Sequence, residues 1–288
     1  MNVAIVSSLE YRNKISEDIA LAEALREAGL NCEIVAWDDS EVKWSRFDIA
    51  ILRSAWGYHK KYCEFLSWME MLDAKRIPLI NNTNMVRWNI QKDRQLDTLR
   101  LLKLPTSPYA VSDNIKNLGS IAKQLGTTKL VIKPVVSASG NDTYMIDPLS
   151  ITSEQSQNLQ NIFKERKFII QPFIDGIKNG EYALVYIGGT LSHAVIRFPG
   201  IFAEKKTAVY IPNSEIPAEI VKLADLTSQR ITQCFGTCPA YARYDIVENM
   251  IMEVELAEPD LMTRNILQEL KATALKKLAV LIAKGENK

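Results

Sequence analysis

Apolar and polar positions alternate most regularly over residues 240–261, AYARYDIVENMIMEVELAEPDL. Arg243 and Asp245 are interleaved with Ala242, Tyr244 and Ile246, and Glu253 and Glu255 with Met252, Val254 and Leu256. Side chains two apart on a strand share a face. The stretch therefore predicts two strands joined by the polar turn Glu248-Asn249, each with one charged and one apolar side. A loop with an odd number of residues sets Asp245 opposite Glu253 and Arg243 opposite Glu255, so a loop of three or five residues is expected. Glu258 lies just beyond the strand end. On its residues alone the charged face is either solvated, with cross-strand ion pairs worth roughly 0.2–1 kcal/mol each, or a site for a hard cation such as Mg²⁺. In the second case Arg243 stands ready for a phosphate or a developing oxyanion.

Residues 1–82 alternate between strand and helix periods, with strands at 3–7, 31–37, 47–53 and 78–81 and helices at 16–28 and 62–75. Ser16 is the expected cap of the first helix, with Glu17 and Asp18 in its first turn and Gly29 after its end. This order predicts a small α/β domain with a largely parallel sheet, and no G-x-G-x-x-G supports a dinucleotide site. Residues 84–102 predict one helix carrying Trp88, Lys92 and Leu96. Residues 129–136 predict a strand broken by Pro134, followed by a small-residue loop at 137–142 and a return strand at 144–146. A helix at 153–166 and an apolar strand at 168–171 precede a hinge at 175–180. A hairpin across Gly188-Gly189 (182–187, 191–198), a helix at 216–235 and an amphipathic helix at 265–284 complete the chain; the leucine stripe of the last reads as core.

Composition narrows the class. With 288 residues, 47% hydrophobic and 24% charged, the chain is an ordinary soluble protein with length for two domains. Lys plus Arg (35) balance Asp plus Glu (34), so nucleic acid is not indicated as a partner. No apolar run suits a signal peptide or a bilayer, which excludes a membrane role and makes the cytoplasm the expected compartment. Four cysteines make no disulfide framework, and Cys234-Phe-Gly-Thr-Cys238 lacks a second pair for zinc.

Four elements follow one another: Lys92 on a helix, Lys133-Pro134 before the small-residue loop, the apolar strand into the hinge with Glu181, and the Arg243, Asp245, Glu253, Glu255 set. This order resembles the ATP-grasp superfamily of carboxylate–amine ligases over about residues 84–261. Arg53-Ser-Ala-Trp56-Gly-Tyr58, Arg87-Trp88-Asn89, Ser192-His193-Ala-Val195, Tyr241-Ala-Arg243 and Glu253-Val-Glu255-Leu-Ala-Glu258-Pro259 are similar to the subgroup containing the O-ureido-serine cyclo-ligase of cycloserine biosynthesis. The resemblance implies a mixed α/β and α+β ATP-grasp fold. It places an N-terminal α/β substrate-side domain at 1–82 and two α+β subdomains, 83–177 and 178–288, that clamp ATP.

The same resemblance assigns roles. Lys92 and Lys133 meet the phosphates, under a loop of Ser137, Ser139 and Gly140 that offers backbone N–H groups. Gln171, Pro172, Phe173 and Ile174 take adenine, and Glu181 the ribose. Asp245, Glu253 and Glu255 hold two Mg²⁺ ions, replaceable by Mn²⁺, while Arg243, Arg197 and Lys133 act on the phosphoryl group. Asparagine is common in the superfamily at the position of Glu255. Arg53, Trp56 and Tyr58, at a strand end, with His193, Lys205 and Glu258, face the substrate. Plainer readings stand beside these: Lys92 as a solvated lysine, 170–174 as a core strand, His193 as structural, and Arg53, Trp56 and Tyr58 as an interface cluster. The resemblance makes residues 200–210, with Lys205 and Lys206, a substrate-facing loop; it is shorter than the subgroup's segment, so a cyclising reaction is not implied.

The expected activity is ATP- and Mg²⁺-dependent. A small-molecule carboxylate becomes an acyl phosphate and is joined to an amine or amide nitrogen of an amino-acid or peptide-like metabolite, by positioning and electrostatics. The resemblance allows a homodimer. The alternatives are a ligase acting on a protein or peptide terminus and a non-catalytic nucleotide-binding module.

Overall fold

Strand-period and helix-period segments fold largely where the pattern puts them. The computed structural model describes residues 1–138, 140–198 and 207–285. The first part comprises β1 (Asn2–Ser7), α1 (Ser16–Glu27), β2 (Asn31–Ala36), β3 (Ile49–Leu52), α2 (Tyr62–Ala74), β4 (Leu79–Ile80) and α3 (Thr83–Asn89). Next come α4 (Lys92–Leu101), β5 (Ala110–Ser112), α5 (Leu118–Leu125), β6 (Leu130–Pro134), β7 (Tyr144–Ile146), α6 (Ser153–Ile162) and β8 (Phe168–Pro172). The rest is β9 (Glu181–Ile187), β10 (Thr190–Phe198), β11 (Thr207–Ile211), α7 (Ala218–Phe235), β12 (Tyr241–Val247), β13 (Met250–Glu255) and α8 (Gln268–Lys284).

The chain divides into two compact units, Met1–Asn89 with Ile177–Lys288, and Ile90–Gly176. In the first, β2-β1-β3-β4 form a parallel sheet. Its Val3, Ile5, Ile49 and Ile51 share a core with Leu21 and Leu25 of α1, Leu275, Leu278 and Ile282 of α8, and Val185, Ile187 and Tyr241 of the second sheet. The leucine stripe of α8 is thus core. Polar clasps reinforce the union: Asn81 Nδ2 donates to Tyr241 O (2.8 Å) and Leu256 O (2.9 Å), and Ala240 N donates to Asn81 Oδ1 (2.7 Å). The Tyr241 hydroxyl reaches Leu52 O at 2.6 Å. In the second unit, β5-β8-β6-β7 form an antiparallel sheet. Leu130, Ile132, Phe168 and Ile170 enter its core, and Val131, Lys133, Ile169 and Gln171 alternate to the other side.

The structure corrects four expectations. Ser16 does not cap α1; the capping position is Ile15, extended and without a side-chain bond. Glu17 and Asp18 turn inward instead. The helix expected over 84–102 is two helices broken at extended Gln91, because Lys92 N donates to Val135 O (3.0 Å). The loop expected over 200–210 instead ends in a strand, β11 at Thr207–Ile211, paired with β10. The β12–β13 loop is two residues, with Glu248 (φ 47°) and Asn249 (φ 57°) both left-handed as a tight hairpin turn needs. The register is nevertheless Asp245 opposite Glu253 and Arg243 opposite Glu255, because the ladder shifts by one residue between Asp245 and Ile246. A bulge at Met252 restores the parity that the short turn would break. The Gly188-Gly189 turn is as tight, and a Cβ on Gly188 would lie 2.8 Å from Leu281 Cδ1. Among the described residues no helix is long and apolar enough to cross a membrane.

Two stability tests follow. Asn81→Ala strands three backbone groups and is expected to lower unfolding stability by about 3 kcal/mol, read as a lower urea midpoint at unchanged slope. Burial pushes the Asp18 carboxyl up from 3.8 to about 6, against the opposing pull of Arg53 and of the Ser54 hydroxyl that donates to it. A raised carboxyl keeps its proton longer in the native state, so its favourable contribution is whole below pH 3.8 and is lost as pH rises through about 6. Asp18→Asn should therefore gain up to about 3 kcal/mol relative to wild type between pH 4 and pH 8, measured by denaturant melts at both values; equal differences at the two pH values would refute it.

Candidate active site

The antiparallel sheet β11-β10-β9-β12-β13 gathers the charged residues on one face. Arg197 lies opposite Glu181 and His193 opposite Val185. Arg243 and Asp245 lie opposite Val185 and Ala183 on one side and opposite Glu255 and Glu253 on the other. Alternation sends Tyr186 and Tyr244 to the opposite face, where the Tyr186 hydroxyl donates to Asp225 Oδ1 of α7 (2.7 Å).

Two guanidinium groups tie the acids together. Arg243 donates from Nε to Asp245 Oδ1 (2.9 Å), from Nη2 to Asp245 Oδ2 (2.9 Å) and to Glu255, and from Nη1 to Asp260 O (3.0 Å). Arg197 Nη2 donates to Asp245 Oδ2 (2.7 Å) and to Glu181. Carboxylate oxygens of Asp245, Glu253 and Glu255 lie within 4.8 Å of one another. Burial raises the Glu255 carboxyl to about 8; Arg243 pulls it down, while Asp245 and Glu253 add to the rise. Burial also raises Glu181, against Arg197. Burial opposes the charge of Arg243, but Asp245 and Glu255 outweigh it and keep it charged. Three converging carboxylates that repel one another fit a hard divalent cation with oxygen ligands.

The substrate-side candidates gather around residues 256–263. Arg53, directly after β3, is buried and donates from Nη2 to Glu17 and to Pro259 O (2.9 Å); its guanidinium lies 5.1 Å from the centroid of the Tyr241 ring. Glu17 accepts from Leu261 N (3.2 Å), Thr263 N (3.3 Å) and the Thr263 hydroxyl (2.9 Å). Trp56 Nε1 donates to Glu258 O (3.3 Å). Tyr58 is buried, stacks on Phe65 at 4.9 Å and bonds the Glu258 side chain. Burial first, then Glu258, Glu253 and Glu255, push its phenol well above the ordinary range. His193 is fully buried, with Nε2 2.6 Å from Leu261 O and Nδ1 3.0 Å from Ser192 Oγ. Burial lowers its pKa.

In the second unit, Lys133 of β6 and Gln171 of β8 share the side of the sheet away from the core. Gln171 is buried and its Nε2 has no hydrogen-bond partner among the described residues. Pro172 ends β8, Phe173 N donates to Lys129 O (2.8 Å), and Ile174 follows before the short turn Asp175–Asn179. Lys92 opens α4. Ser137 is buried and Gly140 has φ 73°. Ser139, Lys205 and Lys206 lie outside the described residues.

Sequence reasoning gave Glu17 and Asn81 no part in this architecture and named Asn89 only within the Arg87-Trp88-Asn89 motif, without a role. Two acids in a first helical turn read as partners of the helix dipole, and an asparagine outside a repeat carries no signal of a distant backbone partner.

Known proteins share this fold. Residues 3–81 match the family described as D-cycloserine synthetase DcsG, N-terminal domain. The cycloserine biosynthesis protein DcsG of Streptomyces lavendulae is 26% identical over 261 residues, covering 84% of this chain and 86% of that protein. The crystal structure of D-cycloserine synthetase DcsG matches with a TM-score of 0.84 at 22% identity, covering 99% of each chain. A RimK domain ATP-grasp protein from Sphaerobacter thermophilus DSM 20745 matches at 0.70 and 16% identity, again over 99% of each chain. D-alanine–D-alanine ligase from Bacillus anthracis, complexed with ATP, matches at 0.67 and 16% identity, over 99% of this chain and 96% of that one. The fold is ATP-grasp, and the chain is similar to D-cycloserine synthetase across both of its compact units.

Proposed function

We propose that the protein uses ATP and Mg²⁺ to convert a small-molecule carboxylate into an acyl phosphate and then joins it to an amine or amide nitrogen. The observation that carries this reading is the convergence of Asp245, Glu253 and Glu255 within 4.8 Å, flanked by Arg243 and Arg197, on one face of a sheet in an ATP-grasp fold. The substrate carboxylate attacks the γ-phosphorus and ADP leaves; the nitrogen then attacks the acyl carbon and phosphate departs.

Asp245, Glu253 and Glu255 would hold two ions. Mg²⁺ bound there would neutralise charge on the β- and γ-phosphates. Arg243 and Arg197 supply fixed positive charge for the phosphoryl oxygens, already oriented by their carboxylate partners. Lys92 and Lys133 would meet the phosphates beneath the loop of residues 137–142, with Gln171, Pro172, Phe173 and Ile174 at adenine and Glu181 at the ribose. Glu181 is paired with Arg197, so a ribose hydroxyl would share or replace that partner. Arg53, Trp56, Tyr58 and Glu258 would border the acceptor, an amino acid or peptide-like metabolite. His193 serves by holding Leu261, since both its ring nitrogens are engaged. The working division is a substrate-side domain at 1–82 and ATP-grasp subdomains at 83–177 and 178–288.

Calorimetry of ATP with Mg²⁺ tests this reading. Wild type should bind ATP in a Mg²⁺-dependent way and prefer it to GTP. Glu253→Ala should weaken that binding at least about tenfold, equivalent to about 1.4 kcal/mol, and a screen of amino acids should then show ADP release in wild type alone. ATP binding indifferent to both Mg²⁺ and Glu253 would sink the proposal.

A further inference from the structure

Asn89 is the last residue of α3 and of the first compact unit before the chain leaves it. Its side chain is buried and reaches the end of β13, the edge strand of the charged sheet. Nδ2 donates to Val254 O (2.6 Å), and Leu256 N (2.9 Å) and Ala257 N (3.0 Å) donate to Oδ1. Val254 O belongs to the peptide group before Glu255, and Leu256 N to the peptide group after it. Peptide groups are planar, so fixing both planes fixes the two dihedrals at the Glu255 α-carbon. Those dihedrals aim its carboxylate. A carboxamide carries the donor and the acceptor this needs on two separate atoms of one planar group.

We propose that Asn89 is a positioning residue for the divalent cation: it grips both peptide groups flanking Glu255 and so holds that carboxylate where it meets Asp245 and Glu253. The inference rests on the metal reading given above. Groups that orient metal ligands from behind typically tune affinity 10–100-fold, whereas a mere cover for an edge strand would change stability and leave metal affinity alone.

The test is Mn²⁺ binding in the presence of ADP, followed by electron paramagnetic resonance, in wild type, Asn89→Ala, Asn89→Asp and Tyr186→Phe. Tyr186→Phe removes a hydroxyl bond on the opposite face and controls for lost stability. Asn89→Ala should raise the Mn²⁺ Kd about tenfold or more, with ADP binding in the absence of metal unchanged and Tyr186→Phe close to wild type. Asn89→Asp keeps the acceptor for Leu256 and Ala257 but loses the donor to Val254, and it carries the test if the alanine variant does not fold. Its added negative charge favours a cation, so weaker Mn²⁺ binding there comes from geometry. An unchanged Kd in the folded Asn89 variants, or a rise matched by Tyr186→Phe, overturns this inference alone. Absence of Mn²⁺ binding by wild type with ADP overturns the metal reading and this inference with it.

Discussion

Removing charge from water constrains this molecule more than anything else. Glu181, Asp245, Glu253, Glu255, Arg197 and Arg243 share one face of a single sheet, and most are buried or half-buried. An ion taken out of water costs several kcal/mol even after relaxation, and only well-placed partners offset it. Arg243 meets that condition with bonds to Asp245, Glu255 and the Asp260 carbonyl. Arg197 does so less completely, because its Nε is buried without a partner among the described residues. Register follows from the same constraint. A slip of one residue would turn Asp245 and Arg243 into the apolar side occupied by Tyr244 and Ile246, which explains why a bulge at Met252 is preserved beside so tight a turn.

The second dependence is on chain segments far away in sequence. Residues 256–262 follow β13 without regular structure, yet their backbone is held by Asn81, Asn89, Arg53, Glu17, Trp56 and His193. Four of these six lie in the parallel-sheet domain or its first helix, and the others are at the end of α3 and on β10. Buried backbone groups must find partners, and here side chains replace the missing strand. The N-terminal sheet therefore forms one body with the charged sheet and shares its core.

Much of this was legible in the sequence, for identifiable reasons. Period-two alternation revealed which residues of β12 and β13 face together, and paired glycines marked the β9–β10 turn. Parity failed for the loop length because a bulge adds a residue without any compositional sign. The break at Gln91 was invisible since neither glycine nor proline marks it; a tertiary bond from Lys92 N to Val135 O makes it. Residues 207–211, Thr-Ala-Val-Tyr-Ile, have strand-forming composition, but a functional reading of the surrounding loop masked it. Tertiary polar contacts such as those of Asn81 and Glu17 leave no local trace.

Shared partners make the charged face a single energetic unit. Arg197 joins Glu181 to Asp245, and Arg243 joins Asp245 to Glu255, so three acids in a row depend on two cations. Removing an end acid leaves its arginine with Asp245 still bound. Removing either arginine instead deprives two acids at once, one of them the fully buried Asp245. Residues coupled through one network do not contribute additively. Any separation of nucleotide and metal roles among them must therefore come from double substitutions rather than from single ones.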